Sequence, residues 1–398
     1  MKSNCGRTPS RYWGLLFFIF FQSGEAAITD VFDLEADFRS YFFQRDFKGG
    51  TRDQESLAFG GILRATIHAH PNLKTVVSLY TSQGAWLNDE NKDVYNLLAK
   101  DDNGRHKNYT ALGEAYIDGG SESLHLRLGR QEMTTPWINR HDVRMTPQSF
   151  DAAVLAWALT ESDVLYFCHV TGMKYKTDTS AKPMSETAGF GGDEPVSCLG
   201  LEGRESVDYK FWIYRAYKMW DDLYLRLDYQ PDEASWYMNG RYLKRISADD
   251  SLAGDQDTWH AGISAGLTLG MLDLFAAHSR NGNRDILRKW GHDITISNQV
   301  EVADRARESA WLLGMTYRLE SVPGLQFALS GSILDTPDSG NRQSPDRNEY
   351  NLDLQYRLIP WSANTTVRVR HAWIRETGAG AENLNDLRFY LRYTVELI

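Results

Sequence analysis

The chain has 398 residues, 42% of them hydrophobic and 24% charged, with a formal net charge of −10. The acidic balance argues against nucleic acid as a partner. Mean hydropathy is −0.47, and beyond the N-terminus no apolar run is long enough to cross a bilayer as a helix.

A low average is also what a membrane β-barrel produces, because its strands alternate lipid-facing and lumen-facing residues. The 20 Tyr and 12 Trp supply apolar bodies with polar tips, which suit a membrane–water interface.

The N-terminus reads as a secretory signal peptide over residues 1–27. Lys2, Arg7 and Arg11 form a basic region, Tyr12 to Phe21 a short apolar core, and SGEAA ends in a cleavage site after Ala26 or Ala27. Cys5 precedes the apolar core, where it cannot serve as a lipoprotein anchor, and removal of the peptide takes the charge to about −12.

From residue 28 to 398 the chain reads as one barrel domain. No segment carries the apolar stripe of a three-turn helix; instead, stretches of about ten residues alternate apolar and polar. In chain order the expected strands are Val31–Phe43, Gln54–His68, Asn72–Gln83, Asn108–Asp118, Glu122–Gln131, Gln148–Glu161 and Asp163–Met173. Pro195–Gly203, Val207–Lys218, Asp221–Gln230, Glu233–Leu243, Gln256–Thr268 and Met271–Asn281 follow. Ser309–Leu319, Gly324–Asp335, Asn348–Leu358, Ala363–Arg375 and Asp386–Leu397 complete the set, about eighteen in all.

The last strand is the clearest, with Leu387, Phe389, Leu391, Tyr393, Val395 and Leu397 on one face and Arg388, Tyr390, Arg392, Thr394 and Glu396 on the other. Short connections, such as residues 70–71, 119–121, near 161–163 and 359–361, alternate with long polar ones at 84–107, 132–147, 174–194, 282–308 and 336–347. Short periplasmic turns with longer outer loops are the barrel pattern. The hairpin at Trp220–Asp221 breaks it, being short where a long loop is due. Cys168 and Cys198 are too few for a disulfide framework. They fall on strands expected to be neighbours, but alternation does not set their register, so no bridge is assigned.

Several segments resemble the OprD family of outer-membrane porins. They are LEADFRSYFFQRDF at 34–47, LGEAY at 112–116, LRLGRQ at 126–131, TTPWIN at 134–139 and DVRMTPQSF at 142–150, with SETAGFGG at 185–192 and AWLLGMTY at 310–317. The likeness runs in order along nearly the whole mature chain. It implies a monomeric, eighteen-stranded channel in the outer membrane of a Gram-negative bacterium, with a narrow basic constriction, taking up carboxylate-bearing molecules or amino acids. Ile398 departs mildly from the terminal aromatic common in such barrels.

Alternation places Arg357, Arg368, Arg370, Arg388 and Arg392 on the lumen face of the last three strands, and Asp33, Glu35, Asp37, Arg39 and Tyr41 inward on the first. The resemblance implies a ladder of basic side chains here, carried to Arg368, Arg370 and Arg388, with Arg39, Arg357 and Arg392 as further rungs. Guanidinium stays charged and binds carboxylate in a two-pronged geometry, so a row of them offers an anion successive weak handholds. In the resembling family the third loop folds into the barrel. That implies residues 132–147 as the constriction, with Arg140, Asp142 and Arg144 as its polar edge and Arg144 as the narrowing residue.

Other chemical patterns fail. GISAG at 262–266 matches G-x-S-x-G but lies inside an alternating strand with no helix after it. Asp89, Asn91 and Asp93 begin a calcium-loop spacing that fails at Val94 and Lys100. The ten histidines contain no H-E-x-x-H. The reading is therefore a passive porin with small-molecule solutes and outer-membrane lipid as partners, and no catalytic residues, cofactor or metal. One rival is a lipase-type barrel enzyme, which needs a Ser–His pair facing lipid at one interface. The other is a plugged structural or adhesin barrel, which conductance would separate.

Overall fold

The computed structural model describes residues 31–89, 91–93, 96–337, 344–359 and 364–398. The expected signal peptide, Val94 of the calcium-like spacing and the turn residues Pro360 and Trp361 lie outside the described residues. Eighteen long strands form the barrel. These are β1 Phe32–Phe47, β2 Gln54–His70, β3 Leu73–Gly84, β4 Tyr109–Gly120, β5 Leu124–Gln131 and β6 Ser149–Ala158. Next come β7 Asp163–Lys174, β8 Val196–Gly203, β9 Asp208–Ala216, β10 Trp220–Tyr229, β11 Trp236–Ser247 and β12 Thr258–Leu269. The last six are β13 Leu272–Asn281, β14 Ser309–Arg318, β15 Leu325–Asp335, β16 Asp346–Arg357, β17 Thr365–Thr377 and β18 Leu384–Glu396.

Each strand pairs antiparallel with its sequence neighbours, and β1 pairs with β18 from Glu35 opposite Glu396 to Phe47 opposite Leu384, closing the sheet. Closure is what a bilayer demands, since hydrocarbon offers no partner to an open strand edge.

The outward faces are apolar where water would penalise them. Leu313 is 69% and Ile333 59% exposed, with Leu225, Leu227, Leu352 and Leu354 also turned outward. Burying such a side chain is worth about 1.5–3 kcal/mol, so this surface is stable only against lipid tails. Outward aromatics mark both edges of that band, Trp236, Tyr317 and Tyr393 at the short-turn end and Trp259, Trp311 and Tyr350 at the long-loop end.

Several strands run past the expected apolar alternation at the long-loop end. β1 extends to Phe47, β11 to Ser247, and β16 begins at Asp346. There the inward positions hold buried arginines, Arg45, Arg245 and Arg347, bound to Asp386, to Asp222, and to Glu301 and Glu308. Strand pairing continues beyond the hydrocarbon, so hydropathy alone ends these strands too early. The β9–β10 hairpin is short, as the sequence indicates.

Cys198 lies directly opposite Cys168 across β7 and β8, and the two form a disulfide with a Cα–Cα distance of 4.9 Å. Both side chains point inward and are buried among Trp212, Tyr214 and Val170. The bridge left open by alternation is therefore set by register. Alkylation of the unfolded, unreduced protein should leave both cysteines unlabelled, and prior reduction should expose both. Replacing both with alanine should lower stability by about 2–4 kcal/mol, read as a lower temperature for loss of the compact, heat-modifiable gel form.

Candidate functional site

Two of the outer loops meet inside the lumen. Residues 132–147 leave β5, cross the bore and return to β6. Trp137 packs edge-on against Tyr224 of β10 at 6.3 Å, and its amide donates to the Tyr214 hydroxyl of β9 at 3.3 Å. On the opposite wall, Arg39 of β1 donates to Asp142 at 2.5 and 2.9 Å and to the Arg144 carbonyl at 3.1 Å.

The second loop, residues 282–308, buries Ile286, Trp290, Ile294 and Ile296 inside the barrel. Its Asp293 accepts from Tyr224 at 2.7 Å, Arg226 at 3.0 Å and Arg241 at 3.0 Å. Farther along, Gln299 donates to Asp386 of β18 at 2.7 Å. The two loops also bind each other. The Trp290 carbonyl accepts from the Asn139 amide at 3.1 Å and from Gln148 at 2.7 Å. Gly291 has φ +131°, and a Cβ there would stand 2.5 Å from the Asn139 side chain, so only glycine allows this approach.

Each loop is thus held to the wall by one aspartate between arginines. Burial works against the charge on Asp142, but Arg39 and Arg140 outweigh it and hold the carboxyl at about 2, below its ordinary 3.8. Asp293 is lowered in the same way, burial being outweighed by Arg241 and Arg226. Where the loops meet, His141 and His292 lie edge to face at 5.5 Å, with Lys176 3.1 Å from His141. Burial, with Lys176 next, pushes His141 down to about 2, so this contact stays uncharged on the histidine side at neutral pH.

The sequence-selected residues separate into distinct environments. Arg39 is buried, clasped by Asp37 at 2.7 Å and by Asp142, so it fastens the loop instead of facing open lumen. Arg392 shares Asp37, at 2.9 and 2.7 Å. Arg388 is also buried, held by Asp386 at 2.6 Å and the Gln299 carbonyl at 2.8 Å, and Asp386 binds Arg45 as well. Arg368 and Arg370, adjacent inward positions of β17, both reach Asp353 of β16. Arg370 does so at 3.3 Å through Nε, and Arg368 also donates to the Tyr390 hydroxyl at 3.4 Å. Arg357 ends β16 at the short-turn rim, one register step beyond this pair.

In the loop, Arg144 is turned against the Phe43 ring at 5.6 Å and is 8% exposed. Arg140 is the more open cation, its side chain 37% exposed between Glu132 at 2.8 Å and Asp142 at 2.6 Å. The Arg39 clasp holds the Arg144 backbone against β1 and leaves Arg140 the more exposed of the two. Ser264 of the G-x-S-x-G pattern sits mid-strand in β12 and donates to Asn239 at 2.6 Å.

A closed barrel with an inward third loop can be compared with known proteins. The family model for the outer membrane porins of the OprD family matches residues 29–397. The chain belongs to the OprD family. OprD porins transport small molecules across the outer membrane, and the family and its structural neighbours are porins, which are not enzymes.

Comparison with curated proteins finds no match. Among solved structures, Pseudomonas aeruginosa OccK9 (OpdG) is similar at TM-score 0.82 and 20% identity, covering 94% of this chain and 100% of that one. Pseudomonas aeruginosa OpdK with vanillate is similar at 0.80 and 16%, covering 92% and 99%. A BenF-like porin from Pseudomonas fluorescens Pf-5 is similar at 0.81 and 16%, covering 92% and 98%. These identities show a shared fold.

Within this OprD porin the second inward loop is the element that pattern reading missed. Residues 282–308 look polar overall, yet Ile286, Trp290, Ile294 and Ile296 are costly in a loop standing in water. Those residues were the available signal.

The Asp142 clasp carries a pH signature. A carboxyl held below its unfolded value stabilises docking above that value and loses the effect as pH falls through the folded one. The loop should stay docked from pH 7 to about 4 and loosen toward pH 2, a shift equivalent to about 2 kcal/mol. Single-channel traces should gain open-level noise over that lower range, and Asp142→Asn should show it at pH 7. Quiet traces from Asp142→Asn at pH 7 would mean the clasp does not hold the loop.

Proposed function

We propose that this OprD porin admits small carboxylate-bearing solutes, working as a monomer, with Arg368 and Arg370 as the handholds beside the constriction of loops 132–147 and 282–308. One observation carries the reading. Two guanidinium groups on adjacent inward positions share the single carboxylate of Asp353, and Arg370 contacts it only at 3.3 Å. A solute carboxylate can therefore take up donors that the wall leaves underused. Of the other arginines proposed for the row, Arg39, Arg388 and Arg392 already face carboxylates at 2.5–2.9 Å, and Arg357 lies out at the short-turn rim. Arg368 meets Asp353 at 2.8 Å through Nε, so Arg370 has the most to offer.

Half-compensated charge suits conduction. A fully bare cluster would trap an anion, and a fully neutralised one would not select it. A low-dielectric wall also focuses the field of these arginines into the bore, so local charge governs entry although the chain as a whole is acidic. Free carboxylic acids and amino acids both present the carboxylate that this pair would bind. The monomer reading rests on β1 pairing with β18 of the same chain, which leaves no strand edge for a partner.

Arg368→Gln with Arg370→Gln should weaken vanillate-induced current block about three- to tenfold, since each partly exposed charge pair contributes about 0.2–1 kcal/mol. The loss should be largest at low salt, while open-channel conductance in salt alone changes little. Arg284→Gln, on the outer loop and paired with Asp255, serves as control. Equal losses from both would mean the charges act only in bulk, and the handhold reading would fall.

A further inference from the structure

The lipid-facing wall between β10 and β13 carries a furrow that ends in two cations at the long-loop rim. Gly240 points outward on β11, and a Cβ built there would meet nothing within 4 Å. Its cross-strand neighbours are Leu227 and Ile263. One step toward the rim, Tyr242 stands between Leu225 and Ala261, so the small residues Gly240 and Ala261 floor a depression walled by larger ones. At the rim end Lys244 lies opposite Trp259, and Arg280 lies opposite Ala261. On the far side Trp311 stacks on His278 at 4.1 Å.

What sets this furrow apart is its charge. At other outward positions near this rim, Arg130 is neutralised by Asp151 at 2.7 Å and Arg215 by Asp221 at 2.9 Å. Arg375 is a single cation donating to the Ile374 carbonyl at 3.1 Å, whereas the furrow brings two cations together above an apolar floor. No ion pair or side-chain hydrogen bond is made by Lys244 or by the exposed Arg280 among the described residues. Uncompensated cations beside hydrocarbon are costly and call for an anion from outside the chain. An apolar furrow below two such cations matches a lipid with a phosphate above its acyl chains.

We propose that this furrow binds lipid A, the phosphorylated and acylated disaccharide of the outer leaflet. An acyl chain would lie over Gly240 and Ala261 and a phosphate against Arg280 and Lys244. The long-loop end of the barrel faces that leaflet, which selects this glycolipid over the phospholipids of the inner one. Lys244 and Arg280 can run their apolar stems along the wall and lift their charges to the headgroup level.

Native mass spectrometry of the full-length porin in detergent, with bis-phosphorylated lipid A, dephosphorylated lipid A or phosphatidylglycerol added, tests the proposal. Bis-phosphorylated lipid A should be retained in preference to the other two. Lys244→Gln with Arg280→Gln should reduce that retention about tenfold, and Arg215→Gln should leave it unchanged. Gly240→Leu fills the furrow without touching the charges and should also reduce retention. Gly240 is not in the left-handed region, so leucine fits its backbone, and heat-modifiable migration checks that each variant is folded. Equal retention of phosphatidylglycerol or of dephosphorylated lipid A, or wild-type retention by either furrow variant, overturns the proposal.

Discussion

The pairing of β1 with β18 is the constraint from which the remaining architecture follows. In hydrocarbon an unpaired amide or carbonyl has no alternative partner, so the sheet must return to its first strand. Once closed with eighteen strands, the wall encloses more space than its own inward side chains can fill. Much of that surplus volume is taken up by the two loops that meet at Trp290. The same closure splits every strand into a lipid face and a lumen face, so each arginine near the membrane has to be accommodated on one side or the other.

Charge placement shows how that is done. Inside the barrel an isolated cation would lose hydration without recompense, and most of them meet carboxylates through more than one hydrogen bond, the geometry in which a buried pair can offset desolvation. Asp37, Asp142, Asp293 and Asp386 each bind two arginines. They act as staples that join strand to strand or loop to wall. Against that background of neutralisation, Arg370 toward the bore and Lys244 with Arg280 toward lipid are among the cations held least completely. Residues left short of partners on such a wall mark where the protein meets something other than itself.

The barrel was legible in the sequence because lipid on one side and water on the other impose a period of two, and β18 from Leu387 to Leu397 displays it openly. The strand count and the alternation of short turns with long loops followed from the same rule. Strand ends were less legible, since at Arg45, Arg245 and Arg347 the ladder persists after the apolar face has stopped. Alternation does assign a side chain to a face. It says nothing about partners on that face, and so could not distinguish Arg39 and Arg388, locked to aspartates, from Arg370. The loop at 282–308 was obscured for a different reason: its apolar residues are spaced to fit a cavity whose shape exists only after closure.

The shared carbonyl of Trp290 has a consequence for how such a pore can diversify. Because Asn139 and Gln148 both bind it, and Gly291 admits Asn139 at close quarters, neither inward loop can drift in length or conformation without disturbing the other. The bore is inherited as a linked unit. Changes in what passes through it are then left to substitutions on the strands, where an exchanged side chain alters the lining and leaves the backbone that defines the aperture intact.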